Sequence, residues 1–409
     1  MNRQKPELLA PAGGLEQLSY ALHFGADAVY CATDRFGLRQ RADNFSLDDI
    51  SQAVALTHEA GAELFVTCNA YMDSDDLKVL PEYLESLAQS QVDALIVSDL
   101  GALRLAKQYA PGIDLHVSTQ ASCSNTQAAL TWYELGAKRV VCAREMSLEA
   151  IAGMRQELPE DLEIEVFVHG AMCMAISGRC LISDFVTGRS ANKGHCAQSC
   201  RWNYALEEET RPGSYFPIEE DGRGSYIMNA DDLCMLEHLD ELVAAGVDSL
   251  KIEGRNKKAF YVATVVNAYR QVLDGAKPQT FLSELDTISH RRYSTGFFFE
   301  TPSQDTENTE NKGQNYDWVA EVLESVSDGR VKVACRNRFY EGDELEVLSP
   351  QKPVRLITVA NLRLEYSDGQ SEAVTTANRA MDTYSIDAPI DLAPQDILRV
   401  KRKDPSKKN

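Results

Sequence analysis

Four cysteines, Cys173, Cys180, Cys196 and Cys200, fall within 28 residues and are spaced C-x6-C-x15-C-x3-C. Four thiolates gathered in this way bind zinc or an iron–sulfur cluster. Structural zinc usually takes paired C-x2–4-C knuckles, and only Cys196 and Cys200 have that form. The wide first spacing suits a cuboidal [4Fe-4S] cluster, whose irons sit apart and accept ligands from separate loops. With all four thiolates bound, no iron stays open, and such a cluster passes electrons or holds the loop. Arg179, Arg189, Lys193 and Arg201 surround the cysteines, and Gly170, Gly178, Gly188 and Gly194 allow tight turns. These cations either offset the charge of a thiolate-ligated centre, meet a phosphate backbone, or are ordinary solvated charges on a long loop.

The other six of ten cysteines (Cys31, Cys68, Cys123, Cys142, Cys234 and Cys335) stand singly in apolar or helical contexts and read as small buried hydrophobes. The start, MNRQKPELLAPAGG, has no apolar signal-peptide region, and no run of about 18 apolar residues predicts a membrane span. The expectation is a cytoplasmic protein with no membrane partner, where clustered thiols signal metal or redox chemistry rather than disulfides. A net charge of −21 argues against broad non-specific nucleic-acid binding, though not against a local basic mouth.

What positions the cysteines is a repeated phrase: an amphipathic helix, a Gly-Ala-Asp-like stop, then a short apolar strand. It recurs at Gly25-Ala26-Asp27, Gly61-Ala62-Glu63, Gln91-Val92-Asp93, Gly136-Ala137-Lys138 and Gly246-Val247-Asp248. Glycine there ends a helix in the left-handed conformation, and a strand apolar on both sides is one covered on both faces. Eight strands are predicted, at 7–12, 28–32, 64–69, 94–99, 115–120, 139–144, 164–170 and 249–255. Helices are predicted at 14–24, 47–60, 75–90, 100–109, 124–135, 147–157, 230–245 and 257–274. Eight βα units over about 250 residues predict a (β/α)8 TIM-like barrel within residues 1–300, with a doubly wound open sheet as the alternative. The cysteines lie on a long excursion, 171–229, after the seventh strand, and loops after barrel strands form the catalytic face. Residues 301–316 read as a polar linker, 317–403 as a small all-β barrel domain with alternating strands, and 404–409 as a frayed tail.

The stretch from Glu165 to Cys173 (EVFVHGAMC), followed by Ser177 to Ser183 (SGRCLIS), resembles the signature of the collagenase-like peptidase family. ELLAPAGGLEQLSYALHFGADAVY, RFGLRQRADNF, CAREMSLEAI, CRWNY, SYIMNADDL, SLKIEGR, HRRYSTGF and NRFYEGDELEVL agree, so the resemblance spans nearly the whole chain. Within the family it is similar to a branch that forms 5-hydroxyuridine at the wobble position of tRNA. Residues 205–224 are shorter than the corresponding insertion of some members. The resemblance implies a prephenate-dependent tRNA hydroxylation with a [4Fe-4S] cluster on Cys173, Cys180, Cys196 and Cys200, and an electron-transfer partner.

Prephenate carries two carboxylates, and Arg grips a carboxylate bidentately. Arg39, Arg41, Arg144 and Arg255, near strand C-termini, are the candidate substrate-binding cations, Arg41 and Arg255 foremost. Asn69, Gln120, Glu145, His169 and Glu253 are polar groups at strand ends. Glu145 and His169 are the candidate catalytic residues, His169 either for proton transfer or to orient the cysteine loop. Glu253 and Lys251 alternate along the eighth strand, only one side of which faces the barrel interior. A uridine turned out of an anticodon loop would stack on an aromatic such as Trp202 or Tyr204. Three other readings stay open: a peptidase, a related hydroxylase acting on rRNA or a quinone precursor, and a tRNA-binding scaffold with a structural cluster. Against the first, the sequence has no HExxH and no G-x-S-x-G.

Overall fold

The computed structural model describes residues 5–38, 43–173, 180, 182–202, 205–207, 215–217, 231–299, 314–326 and 329–402. Eight parallel strands close a barrel: β1 (Glu7–Pro11), β2 (Ala28–Cys31), β3 (Glu63–Cys68), β4 (Ala94–Val97), β5 (Asp114–Val117), β6 (Arg139–Val141), β7 (Glu163–Ala171) and β8 (Ser249–Ile252). Each pairs with its successor, and β8 closes the ring by pairing in parallel with both β7 and β1. The doubly wound alternative is thereby excluded. Helices α1 (Leu15–His23), α2 (Leu47–Glu59), α3 (Ser74–Gln89), α4 (Leu100–Tyr109), α5 (Thr126–Glu134), α6 (Leu148–Glu157), α7 (Ile182–Thr187, in the cysteine segment), α8 (Leu239–Ala245), α9 (Ala259–Leu273) and α10 (Pro278–Leu285) follow.

Period-two alternation sorts the strand residues into two cores. Leu8, Ala10, Val29, Leu64, Val66, Leu95 and Leu250 pack outward against the helices. Leu9, Ala28, Tyr30, Phe65, Ala94 and Ile96 form a separate apolar layer inside the barrel. The inside also holds charge. Arg139 of β6 lies 2.7 Å from Glu7 of β1 and 3.1 Å from Glu165 of β7, and Lys251 of β8 lies 2.6 Å from Glu165. Ser249 of β8 donates to Glu7 at 2.7 Å.

Two departures from the predicted elements matter. The expected helix over 230–245 shortens to α8, because Asp232–Cys234 is a strand, antiparallel to the end of β7 and parallel to Tyr293–Ser294. Sequence periodicity misses it because its partner is the extension of β7 beyond the barrel. Second, β7 bulges where it meets β8: Phe167 pairs with Lys251, yet His169 pairs with the next residue, Ile252. An extra residue re-aims every side chain after it.

Most of the expected linker, 301–313, and the tail from 403 on lie outside the described residues. The small domain begins at Tyr316, one residue before its predicted start. Its main sheet is antiparallel, in the order Arg355–Thr358, Glu344–Leu348, Ile397–Lys401, Tyr316–Val326, Arg330–Cys335, Thr383–Asp387, Arg363–Glu365 and Ser371–Ala373. It packs on the barrel's outer helices. Trp318 meets Tyr20 edge to face at 5.2 Å, Arg336 pairs with Glu16, and fully buried Arg399 pairs with Glu284 of α10 and Glu346 of its own sheet.

Gly170 is the tight point where β7 passes the end of β8. Its φ is +100°, and a Cβ there would sit 2.6 Å from the Glu253 carbonyl oxygen. A non-glycine residue held there carries strain of about 1–3 kcal/mol. Gly170→Ala is expected to lower the unfolding free energy by that much, moving the urea midpoint down; an unchanged midpoint in urea titration rejects the account.

Candidate active site at the barrel mouth

The C-terminal ends of the strands enclose a cavity of about 150 Å3. Its wall is built by the loop after each strand: Asn69 after β3, Ser118, Thr119 and Gln120 after β5, Arg144 after β6, and Arg255 after β8. All four predicted cysteines, Cys173, Cys180, Cys196 and Cys200, line the same cavity. The i, i+2, i+4 series Lys251, Glu253 and Arg255 brings three charges of one strand and its extension into it.

The cysteine segment is held by its own side chains. Asn192 accepts from the Cys180 N–H and donates to the Cys180 carbonyl, both at 3.1 Å. Buried Ser183 of α7 donates to the Arg189 carbonyl at 2.7 Å and accepts from the Ala197 N–H at 2.9 Å, beside Cys196. The segment docks on the loop before α3. There the Tyr71 N–H donates to the Asn192 carbonyl at 2.7 Å, and Lys193 pairs with Asp73 at 2.7 Å. Lys193 and the N–H groups of the first turn of α3 hold the Asp73 carboxyl down to about 2.

Whether the residues suit a cluster rests on this donor set. Four thiols from four points of one segment face one cavity, and the Gln198 N–H donates to the Cys196 sulfur at 3.3 Å, as hydrogen bonds to ligating sulfurs do. A cuboidal cluster takes its sulfurs at separate corners, and four thiols lining one cavity are a donor set of that kind. The remaining cysteines differ chemically: burial pushes the Cys31 and Cys68 thiols up to about 12, and those of Cys123, Cys234 and Cys335 up to about 11.

Of the predicted cations, Arg144 and Arg255 reach the cavity. Arg144 donates to the Ala171 carbonyl at 2.9 Å, lies 3.4 Å from Glu253 and stacks over Phe167 at 3.9 Å. Arg255 is buried and bonds the Leu38 carbonyl. Asn69 and Gln120 line the wall, and Asn69 donates to Ser118 at 2.9 Å. Arg39 and Arg41, together with Arg179, Tyr204 and the side chain of Arg201, lie outside the described residues. Glu145 sits on the turn after β6 and does not line the cavity.

Of the two readings of His169, proton transfer in the cavity or orientation of the cysteine loop, the first lacks access, because the bulge turns the residue behind the wall. There its ring lies 5.4–6.1 Å from those of Tyr261, Tyr269 and Tyr293, and its Nδ1 is 3.4 Å from the Tyr269 hydroxyl. Burial, with lesser effects of His290 and Lys257, drives its pKa down to about 3. It is a neutral packing group under the cysteine segment rather than a proton carrier in the cavity. Two residues were missed as site members. Lys251 is a cavity cation whose position on the Glu253 face was the available signal. Tyr71, 63% exposed beside Asn192, had none; Trp202, which was anticipated, is 49% exposed.

A histidine held neutral when folded and free at about 6.5 when unfolded binds protons preferentially in the unfolded chain. Its contribution to stability is therefore complete above pH 6.5 and is lost as pH falls toward 3. Histidine NMR is expected to show His169 neutral down to about pH 4, and His169→Gln to flatten the fall of melting temperature between pH 6.5 and 4. A His169 titration near 6.5 contradicts this placement.

Family models match nearly the whole chain: peptidase family U32 over residues 13–308 and the U32 C-terminal domain over 314–399. The chain is 40% identical over 359 residues to tRNA hydroxylation protein P1 of Bacillus subtilis (strain 168), covering 85% of this chain and 84% of that one. It is 34% identical over 441 residues to tRNA hydroxylation protein P of Escherichia coli (strain K12), covering 96% and 95%. It is also 35% identical over 362 residues to the 23S rRNA 5-hydroxycytidine C2501 synthase of the same organism, covering 85% of this chain and 53% of that protein. With its barrel and its antiparallel C-terminal domain both matched, this chain belongs to peptidase family U32.

Proposed function

We propose that this protein hydroxylates tRNA, forming 5-hydroxyuridine at the wobble position with prephenate as cosubstrate and a [4Fe-4S] cluster on Cys173, Cys180, Cys196 and Cys200. The observation that carries the reading is the joining of four thiols and the barrel-mouth cations around one cavity. Its support from outside the geometry is the similarity, over nearly full length, to proteins named for tRNA hydroxylation. When bound, the cluster supplies one-electron transfer at the cavity wall.

The chain's own groups have separable tasks. Arg144 and Arg255 meet carboxylate, since a fixed guanidinium fork binds it in two places. Asn69, Ser118 and Gln120 offer the neutral donors and acceptors that distinguish the edges of a ring. A cavity of about 150 Å3 admits no helix, so an RNA presents a single nucleotide turned out of its stack at the mouth, above the cosubstrate. Tyr71 and Trp202 are exposed aromatic faces for the flanking bases.

The peptidase reading fits the cavity poorly. Its described lining contains no histidine to activate a Ser, Thr or Cys nucleophile. Similarity to an rRNA 5-hydroxycytidine synthase favours a second reading, the same chemistry on rRNA.

The deciding experiment is mass spectrometry of tRNA and rRNA nucleosides from cells with and without the gene. Loss of 5-hydroxyuridine from tRNA is expected, while loss confined to an rRNA cytidine product selects the second reading. Cys196→Ala should abolish both the visible absorbance of the purified protein and the modification; full modification without absorbance removes the cluster from the reaction. Arg255→Ala should weaken prephenate binding at least about tenfold in calorimetry with the absorbance retained. Unchanged affinity takes Arg255 out of the site.

A further inference from the structure

The floor of the cavity carries a charge that the reading above does not use. Lys251 is 4% exposed, in the middle of the barrel, with its side chain in the cavity lining. Its ammonium donates to Glu165 at 2.6 Å, and among the described residues that is its one hydrogen-bond acceptor. The group also lies 4.4 Å from the centre of the Tyr30 ring and 5.6 Å from that of Phe167. Ring faces attract a cation without consuming its N–H groups in ordinary hydrogen bonds. An ammonium has three donors, so Lys251 keeps donating capacity on its cavity side.

Stability alone does not call for the lysine, since a buried ion pair replaced as a whole by apolar groups of like volume often leaves a protein equally stable or more so. Glu165 also has a second cation, Arg139 at 3.1 Å, which faces it whether or not Lys251 is present. Three cations (Arg144, Lys251, Arg255) and one carboxylate (Glu253) line the cavity, three minus one giving +2 with the thiols uncharged. The cations also sit at two levels. Arg144 and Arg255 extend from loops above the strands, whereas Lys251 lies within β8, one bulge below.

We propose that the cavity is a two-point site for a compact dicarboxylate, in which Lys251 at the floor holds one carboxylate while Arg144 and Arg255 at the wall hold the other. The inference rests on the prephenate reading and names the residue that makes the site select two carboxylates over one. Glu165, itself gripped by Arg139, is a positioning residue: it fixes the height and direction of the Lys251 ammonium and lets it stay charged in a buried place. Glu7 and Ser249 carry that support to the far end of the barrel, Ser249 donating to Glu7 at 2.7 Å.

The alternative role for Lys251 is to offset the charge of a thiolate-bound cluster, and the experiment separates the two. Anaerobically purified full-length protein, wild type, Lys251→Met and Lys251→Met/Glu165→Gln, is titrated calorimetrically with prephenate and with phenylpyruvate, an aromatic relative bearing one carboxylate. Visible absorbance and thermal melting are recorded on the same samples. The wild type is expected to bind prephenate at least about tenfold more tightly than phenylpyruvate. Lys251→Met should weaken prephenate at least about tenfold, move phenylpyruvate less than about threefold and keep the absorbance, while its melting temperature falls because Glu165 loses one of its two cations. The double variant, which removes that excess buried carboxylate charge, should show the same binding with the melting temperature recovered, and serves as the folding control. Equal losses for both ligands, no loss for either, or loss of absorbance in both variants overturns the proposal. So does a wild type that does not prefer the dicarboxylate. If the selectivity follows Lys251 while cellular tRNA carries no 5-hydroxyuridine, the site stands and the hydroxylation reading fails.

Discussion

The ion network inside the barrel is the constraint on which the remaining geometry hangs. Arg139, Glu165 and Lys251 are all withdrawn from water, and each such ion costs several kcal/mol unless it is paired with good geometry. The pairing satisfies that condition only in one register. Glu7, Arg139, Glu165, Ser249 and Lys251 come from four strands, β1, β6, β7 and β8, and must all face inward at matching heights. A slip of one residue in any of the four would send its charged group into the helix-packed layer and an aliphatic one into the network. The closing seam, β7 to β8 to β1, is thus specified by charge, while β2 to β5 rely on the apolar layer of Tyr30, Phe65 and Ile96. The upper end of the network, Lys251, becomes the floor of the cavity.

Above that floor the bulge in β7 divides the molecule into two compartments. Phe167 and Lys251 stay on the cavity side. His169 passes to the other side, among Tyr261, Tyr269 and Tyr293, where a neutral imidazole is the only form that burial permits. Cys173 follows only four residues later, so the path on which the chain leaves the barrel is set by this turn and by the left-handed Gly170. Asn192 and Ser183 then bring the segment back over the mouth. The segment that carries the thiols is positioned by backbone hydrogen bonds to neutral side chains.

Much of this was legible in the sequence, for physical reasons. Helix stops and apolar strands are local signals, and they marked the start of every barrel strand to within one residue, with ends up to three residues too long. The cysteine spacing, together with its place after β7, located the site. What escaped depended on contacts between distant segments. Asp232–Cys234 is a strand only because β7 runs past the barrel, and in isolation its residues read as a helix start. The side to which His169 points was not legible, because alternation is reliable only until a bulge and nothing in VFVHG marks one. Lys251 was noticed on the eighth strand but given no role, since a lysine in a strand reads as solvated until Glu165 and Arg139 are known to be opposite. Tyr71 gained its place only when the cysteine segment folded onto it.

The acidic balance of the chain and a proposed RNA substrate can be reconciled by where the charge resides. A net −21 spread over 409 residues creates a repulsive far field, which salt screens over roughly 10 Å at 0.1 M. The lining of the cavity has the opposite sign, and its cations are backed by buried partners rather than by mobile surface groups. Such a protein gains little from the counterion release that drives binding by basic proteins. On the proposed reading, its grip on a nucleic acid comes from short-range contacts: aromatic faces such as Tyr71 and Trp202 at the rim, and hydrogen bonds to a single extruded nucleotide. That division trades a fast, non-specific encounter for selection by shape.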